Sequence, residues 1–161
     1  MNAKDVLSYG HAWVHKHLAG LTNAEMESPG VCGVWSVKEI IAHLSSFEVV
    51  LVELLEEISG SGRPTPTLDQ FRNLSGDDFN AIQVYQRREY TPQETIEDYN
   101  RGQAQVMTLI EALPVENLRR VGSLPWYGET YDLEDFLVYT FYGHKREHMA
   151  QIAIYRDELG K

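Results

Sequence analysis

Of the six histidines in the chain, two stand four residues apart in the segment Gly143-His144-Lys-Arg-Glu-His148-Met-Ala-Gln151-Ile152. On a helix this separation brings the two side chains within ~40° of each other in rotation and ~6 Å along the axis. Two imidazoles placed this way can grip one divalent ion, as in helical zinc sites of the His-x-x-x-His kind. Lys145-Arg146-Glu147 fills the gap, so the glutamate that a metallopeptidase needs is not in its required place. A third imidazole, His43, sits between Ile40 and Phe47 on the apolar flank of another helical stretch.

Any one of these histidines, taken singly, is explained as a core residue hydrogen-bonded to a Tyr, a Gln or a backbone carbonyl. The set is different. Three inward imidazoles without partners would cost about 1–3 kcal/mol each. A divalent cation that accepts all three lone pairs removes that cost. The candidate metal ligands are therefore His43, His144 and His148. Three neutral ligands leave a coordination position open for water or substrate, as in catalytic rather than structural zinc, and nickel, iron or cobalt would fit equally. His11 and His15 form a second pair at the same spacing, with His17 nearby. His11 lies on the Leu7–Val14–Leu18 stripe and His15 at its edge, so they are expected as a surface pair or a rim. His11 could also support a ligand from behind or face a substrate. No general base stands out.

Four principal helices must position these groups. Ser36 followed three residues on by Glu39 is a capping box. Val37, Ile40, Ile41, Leu44, Phe47, Leu51, Leu54, Leu55 and Ile58 then recur at helical steps, predicting a long amphipathic helix over 37–59. Thr91-Pro92-Gln93-Glu94 opens another, with Ile96, Tyr99, Gln103, Val106, Ile110 and Leu113 as its seam and Pro114 as its stop. The last helix is predicted from Asp132 to just before Gly160, with Leu133, Phe136, Leu137, Thr140, Phe141, His144, His148, Gln151, Ile152 and Tyr155 inward. Leu7, His11, Val14 and Leu18 mark the first helix. Residues 59–67, rich in Ser, Gly and Pro, read as a loop, and residues 77–85 as one shorter helix. Around Tyr127-Gly128 a small hairpin is possible, although Pro125 weakens it. The most economical architecture is an all-α four-helix bundle with long inter-helix connections, a single domain over 1–161.

Length and charge set the frame. At 161 residues with 14 Lys+Arg against 24 Asp+Glu, the chain suits one domain and carries a formal charge of −10. Such a length can bury roughly 70% of the unfolded chain's surface. The lone Cys32 excludes an intramolecular disulfide and fits a reducing cytosol. The acidic balance argues against nucleic acid and against anionic membrane surfaces. No apolar run approaches a membrane span or a signal peptide, so a cytoplasmic location is expected. Cys32, between Gly30 and Gly33, reads as a loop filler without a base to activate it. No glycine-rich phosphate loop follows a strand. Trp35, just before the Ser36 cap, reads as a hydrophobic staple. Glu53, Glu56 and Glu57 read as a solvated helix face, and Tyr139 and Tyr142 as core packing.

The segment Trp35-Ser-Val-Lys-Glu-Ile-Ile-Ala-His43-Leu44, followed about a hundred residues later by the His144–His148 segment, resembles the DinB/YfiT-like superfamily of metal-binding four-helix bundles. The resemblance implies that His43, His144 and His148 bind a divalent metal, zinc or nickel most commonly. Some relatives are thiol-S-transferases that use low-molecular-weight thiols such as bacillithiol or mycothiol, and another branch protects against reactive natural products. The function it implies is a metal-dependent transferase that adds a low-molecular-weight thiol, as cosubstrate, to a small-molecule electrophile, in a homodimer. A metal-dependent hydrolase is the nearest variant. The alternatives are a non-catalytic protein that sequesters a metal or small ligand, and a protein whose histidines are merely core and which works through its dimer surface.

Overall fold

The computed structural model describes residues 2–161 and is all-α, with no strand among the described residues. Its elements are α1 (Ala3–Leu18), α2 (Asn23–Glu27), α3 (Val37–Ile58), α4 (Pro66–Asn73), α5 (Gly76–Gln86), α6 (Pro92–Ala112), α7 (Val115–Leu118), α8 (Leu133–Phe136), a π-helical stretch (Leu137–Gly143) and α9 (His144–Glu158). The expected start signals do their work. Ser36 and Glu39 form a reciprocal capping box at α3, as do Thr91 and Glu94 at α6, where Pro92 takes the first turn. Asp132 and Asp135 do the same at α8. No helix among the described residues is long and apolar enough to cross a membrane.

α3 lies along α6, while α1 packs on α9, on the π-helical stretch and on α6. Two apolar clusters result. One gathers Leu7, Val50, Leu51, Leu54, Val106, Ile110, Phe136, Leu137 and Phe141. The other gathers Val14, Leu18, Val37, Ile40, Ile41, Leu44, Tyr99, Met149 and Ile152. Between them in all four long chain segments fall the buried polar residues: Glu48 on α3, Gln103 on α6, Lys145 and His148 on α9, with His11 half-buried on α1. A polar layer thus crosses the middle of the protein.

Several sequence expectations need correction. The expected hairpin near Tyr127-Gly128 is a pair of tight turns, in which the Tyr127 and Gly128 amides donate to the Leu124 carbonyl and Gly122 closes the loop onto Tyr131. Pro125 removes a donor that a strand ladder would require. The loop over 59–67 ends early, because Pro66 opens α4, so two short helices, not one, bridge α3 and α6. Glu53 is not solvated. It is buried, and its Oε2 accepts from the Leu68 amide at 2.7 Å, which caps the first turn of α4 in place of Thr65. Glu56 and Glu57 do face outward, paired with Arg63 and Arg72. The last helix widens into π-helix over Leu137–Gly143. Gly143 permits this turn, since a Cβ there would stand 3.3 Å from the Val138 carbonyl. The extra residue in a turn shifts the phase by ~100°, so Lys145 and Met149 turn inward. Tyr139, expected in the core, is 63% exposed, off the seam of Phe136, Leu137 and Phe141.

Candidate metal centre

α3 delivers His43 from its second turn, one turn after Glu39 of the capping box, and α9 delivers His144 and His148 from its first turns, directly after the π-helical stretch. The three imidazoles meet. His43 Nε2 lies 2.8 Å from His144 Nε2, and His148 Nε2 lies 2.9 Å from the same atom. The three potential ligand atoms all fall within 4.8 Å of one another, and they form the one group of this kind among the described residues. His43 and His148 are buried and His144 is half-buried.

The protonation states suit a ligand set. Burial is the main reason that the His43 pKa falls to about 2, with His144 and His148 adding to it. Burial likewise lowers His144 to about 3, helped by His148 and Lys145. His148 is lowered by burial against the opposing pull of Gln151 and Glu147. All three rings are therefore neutral at pH 7, each with one bare nitrogen. Gln151 Oε1 stands 2.8 Å from His148 Nδ1 and accepts its proton, which leaves the His148 Nε2 lone pair free. His43 Nδ1 is buried without a hydrogen-bond partner, so the cost of burying this ring has to be met on its Nε2 side. One N–H at His144 cannot serve two lone pairs, whereas a cation serves all three. Tetrahedral zinc with Zn–N near 2.0–2.1 Å would set nitrogens ~3.3 Å apart, so accepting an ion requires the His43–His144 and His144–His148 separations to widen by only ~0.5 Å. The residues fit the group.

Aromatic rings wall the cluster. Trp35 lies 5.1 Å from the His43 ring, and Phe47 lies 4.9 Å from His43 and 4.5 Å from His144. Phe47 then continues edge-to-face onto Phe71, Phe79 and Phe141. Trp35 belongs to the apolar cluster that includes Ile40, as a staple should, but its place beside His43 was not foreseen. The signal for it was its position two turns ahead of His43.

His11 and His15 stand apart from the three. They are not a surface pair, since both are half-buried between α1 and α6. His11 stacks on Tyr99 at 5.2 Å, and His15 Nε2 donates to Asn100 Oδ1 at 2.7 Å. Burial first, then His15 and Lys145, lowers His11 to about 4. Cys32 makes an isolated bridge with Trp35 and serves as loop packing.

An all-α protein in which two helices bring three neutral imidazoles to one point has the makings of a helical metalloprotein. Residues 8–152 match the DinB superfamily, and the chain belongs to that family. No curated protein and no solved structure matches it.

Proposed function

We propose that this chain is a single-domain four-helix bundle that holds a divalent transition metal, zinc or nickel, on His43, His144 and His148, and uses it to add a low-molecular-weight thiol to a small electrophile. The observation that carries the reading is the convergence of three Nε2 atoms, with His43 and His148 each within 2.9 Å of His144, where a single N–H cannot satisfy all of them. When bound at three neutral ligands, such an ion lowers the pKa of a thiol or water and leaves a coordination position open. The chain's own residues do the rest. Gln151 holds the proton on His148 Nδ1, so the ligand atom cannot switch tautomer. Trp35 and Phe47 keep water from the flanks of the rings and offer an apolar wall to an electrophile. The −10 charge around a local positive centre favours small anions such as thiolates over nucleic acid. The family suggests a homodimer, and the lone Cys32 fits the reducing cytoplasm.

Metal analysis of protein purified without an affinity tag, and thermal shifts with zinc and nickel, test the site. Bound transition metal and a shift that His148→Ala abolishes are expected. Absence of both in the unmodified chain would refute the site. Metal-loaded protein mixed with a thiol and a panel of electrophiles then tests the reaction. Turnover that requires the thiol is expected, turnover without it would make the protein a hydrolase, and stoichiometric protection without turnover would make it a sequestering protein.

A further inference from the structure

The helices that carry the three candidate ligands scarcely touch. α3 packs chiefly on α6, whereas α9 packs on α1 and the π-helical stretch, and direct contact between α3 and α9 is sparse. The distance from His43 to His144 therefore depends on side chains that reach across. Apart from the imidazoles, one pair does so in the same polar layer. Lys145 Nζ lies 2.5 Å from Glu48 Oε1, with the two side chains 2% and 0% exposed. Lys145 also donates to Gln103 Oε1 at 3.4 Å and stands 5.4 Å from the Tyr99 ring.

Two glycines make room for this pair. A Cβ at Gly102 on α6 would lie 2.7 Å from Glu48 Cβ, and one at Gly10 on α1 would touch Lys145 Cδ at 3.4 Å. Glycine inside a helix is unfavourable, so two helices give up stability at the places that face the pair. Buried ion pairs are commonly no better for stability than apolar side chains of the same volume. Something other than stability accounts for this one. Lys145 follows His144 directly, and Glu48 lies five residues beyond His43, about 140° around the same helix. Because each helix is rigid over this length, a slip of α9 against α3 moves His144 and His148 by the same amount. Ligand geometry tolerates only about 0.5 Å of such movement.

We infer that the Glu48–Lys145 ion pair is a positioning device for the metal centre: it sets the register of α9 against α3 and so holds His144 and His148 opposite His43. The inference rests on the metal reading above. Neither residue touches the ion; both act through the ligands.

The test is E48M/K145M in the full chain, which removes both charges, leaves no unpaired polar atom at either position and keeps both shapes. Two quantities are read: the urea midpoint of the metal-free protein, and cobalt(II) and zinc binding by absorption spectroscopy and chelator competition. The expected result is a midpoint equal to or above that of the unmodified chain, with zinc affinity lowered about tenfold or more and a weaker visible cobalt band from a loosened site. If this variant does not fold, Glu48→Asp keeps both charges but withdraws the carboxylate by one methylene, and the same loss of affinity and cobalt band is expected. A folded variant with zinc affinity within twofold of the unmodified chain and the same cobalt spectrum would overturn the inference while leaving the metal site standing. Failure of the unmodified chain to bind either ion would overturn the metal reading, and this inference with it.

Discussion

His43→Leu separates the cost of the histidine cluster from its use. His43 is 2% exposed, its Nδ1 has no partner, and its pKa is depressed to about 2 by burial. Replacing it in the metal-free protein exchanges a neutral polar ring for a neutral apolar side chain. Relief of the unpartnered nitrogen is worth about 1–3 kcal/mol, and loss of the ring contacts with Trp35 and Phe47 takes back about 1 kcal/mol. At pH 8 the variant should therefore match the unmodified chain or exceed it by up to about 2 kcal/mol. The pH dependence is sharper. In the unfolded chain this histidine takes up a proton near its ordinary 6.5, whereas in the folded protein it does not until about 2. The contribution is thus neutral above pH 6.5 and turns against the fold as pH falls below that value. At pH 5 this amounts to about 2 kcal/mol, from 1.5 pH units at about 1.4 kcal/mol each. Urea unfolding in a chelator at pH 8 and pH 5 measures it: the variant's advantage should widen by about 2 kcal/mol. At pH 8, with zinc at a hundred times its Kd, the order reverses, because only the unmodified chain gains the roughly 2.7 kcal/mol of linkage. An advantage that stays flat between pH 8 and pH 5 would show that His43 is not held neutral and would refute the reasoning.

Glu53→Ala should destabilise the protein by about 2 kcal/mol, since it leaves the Leu68 amide without its charged acceptor; urea unfolding reads this, and Glu53→Gln should recover part of it. Gly102→Ala should also destabilise despite the better helix propensity of alanine, because the new Cβ meets Glu48 Cβ at 2.7 Å. Overpacking of about 1–3 kcal/mol outweighs a gain of about 1 kcal/mol, and the melting temperature should fall by a few degrees.

What could be read along the chain was whatever a single helix states about itself. Ser36 and Glu39 announce the start of α3 three residues apart, and the apolar steps from Val37 to Ile58 hold one face for 22 residues. Thr91, Pro92 and Glu94 do the same for α6. His43, His144 and His148 could be brought together because their helices were legible and their spacing was chemical. Glu53 was misread because its partner, the Leu68 amide, belongs to a helix fifteen residues away whose start is hidden in a Pro-rich stretch. A carboxylate beside Glu56 and Glu57 looks like its neighbours until that amide is placed.

Lys145 was hidden for a different reason. Between His144 and Arg146 it reads as one more charged residue on an outer face, and only the phase shift across Leu137–Gly143 turns it inward. The π-helical stretch packs against α1 and has no strong signature beyond Gly143. Glu48 carried more of a signal, as a lone carboxylate four residues after Leu44 and three before Leu51 on an otherwise apolar stripe. Gly10 and Gly102 carried another, as glycines inside two helices with no turn to make. Each of these is a weak oddity on its own helix. They become one statement only when four helices place them at the same level, where the apolar clusters on either side stop and a charge pair, two glycines and three imidazoles share the gap. A layer that is costly in each of its parts is retained for what it holds in place, and the parts least legible from sequence are those whose reason lies on another helix.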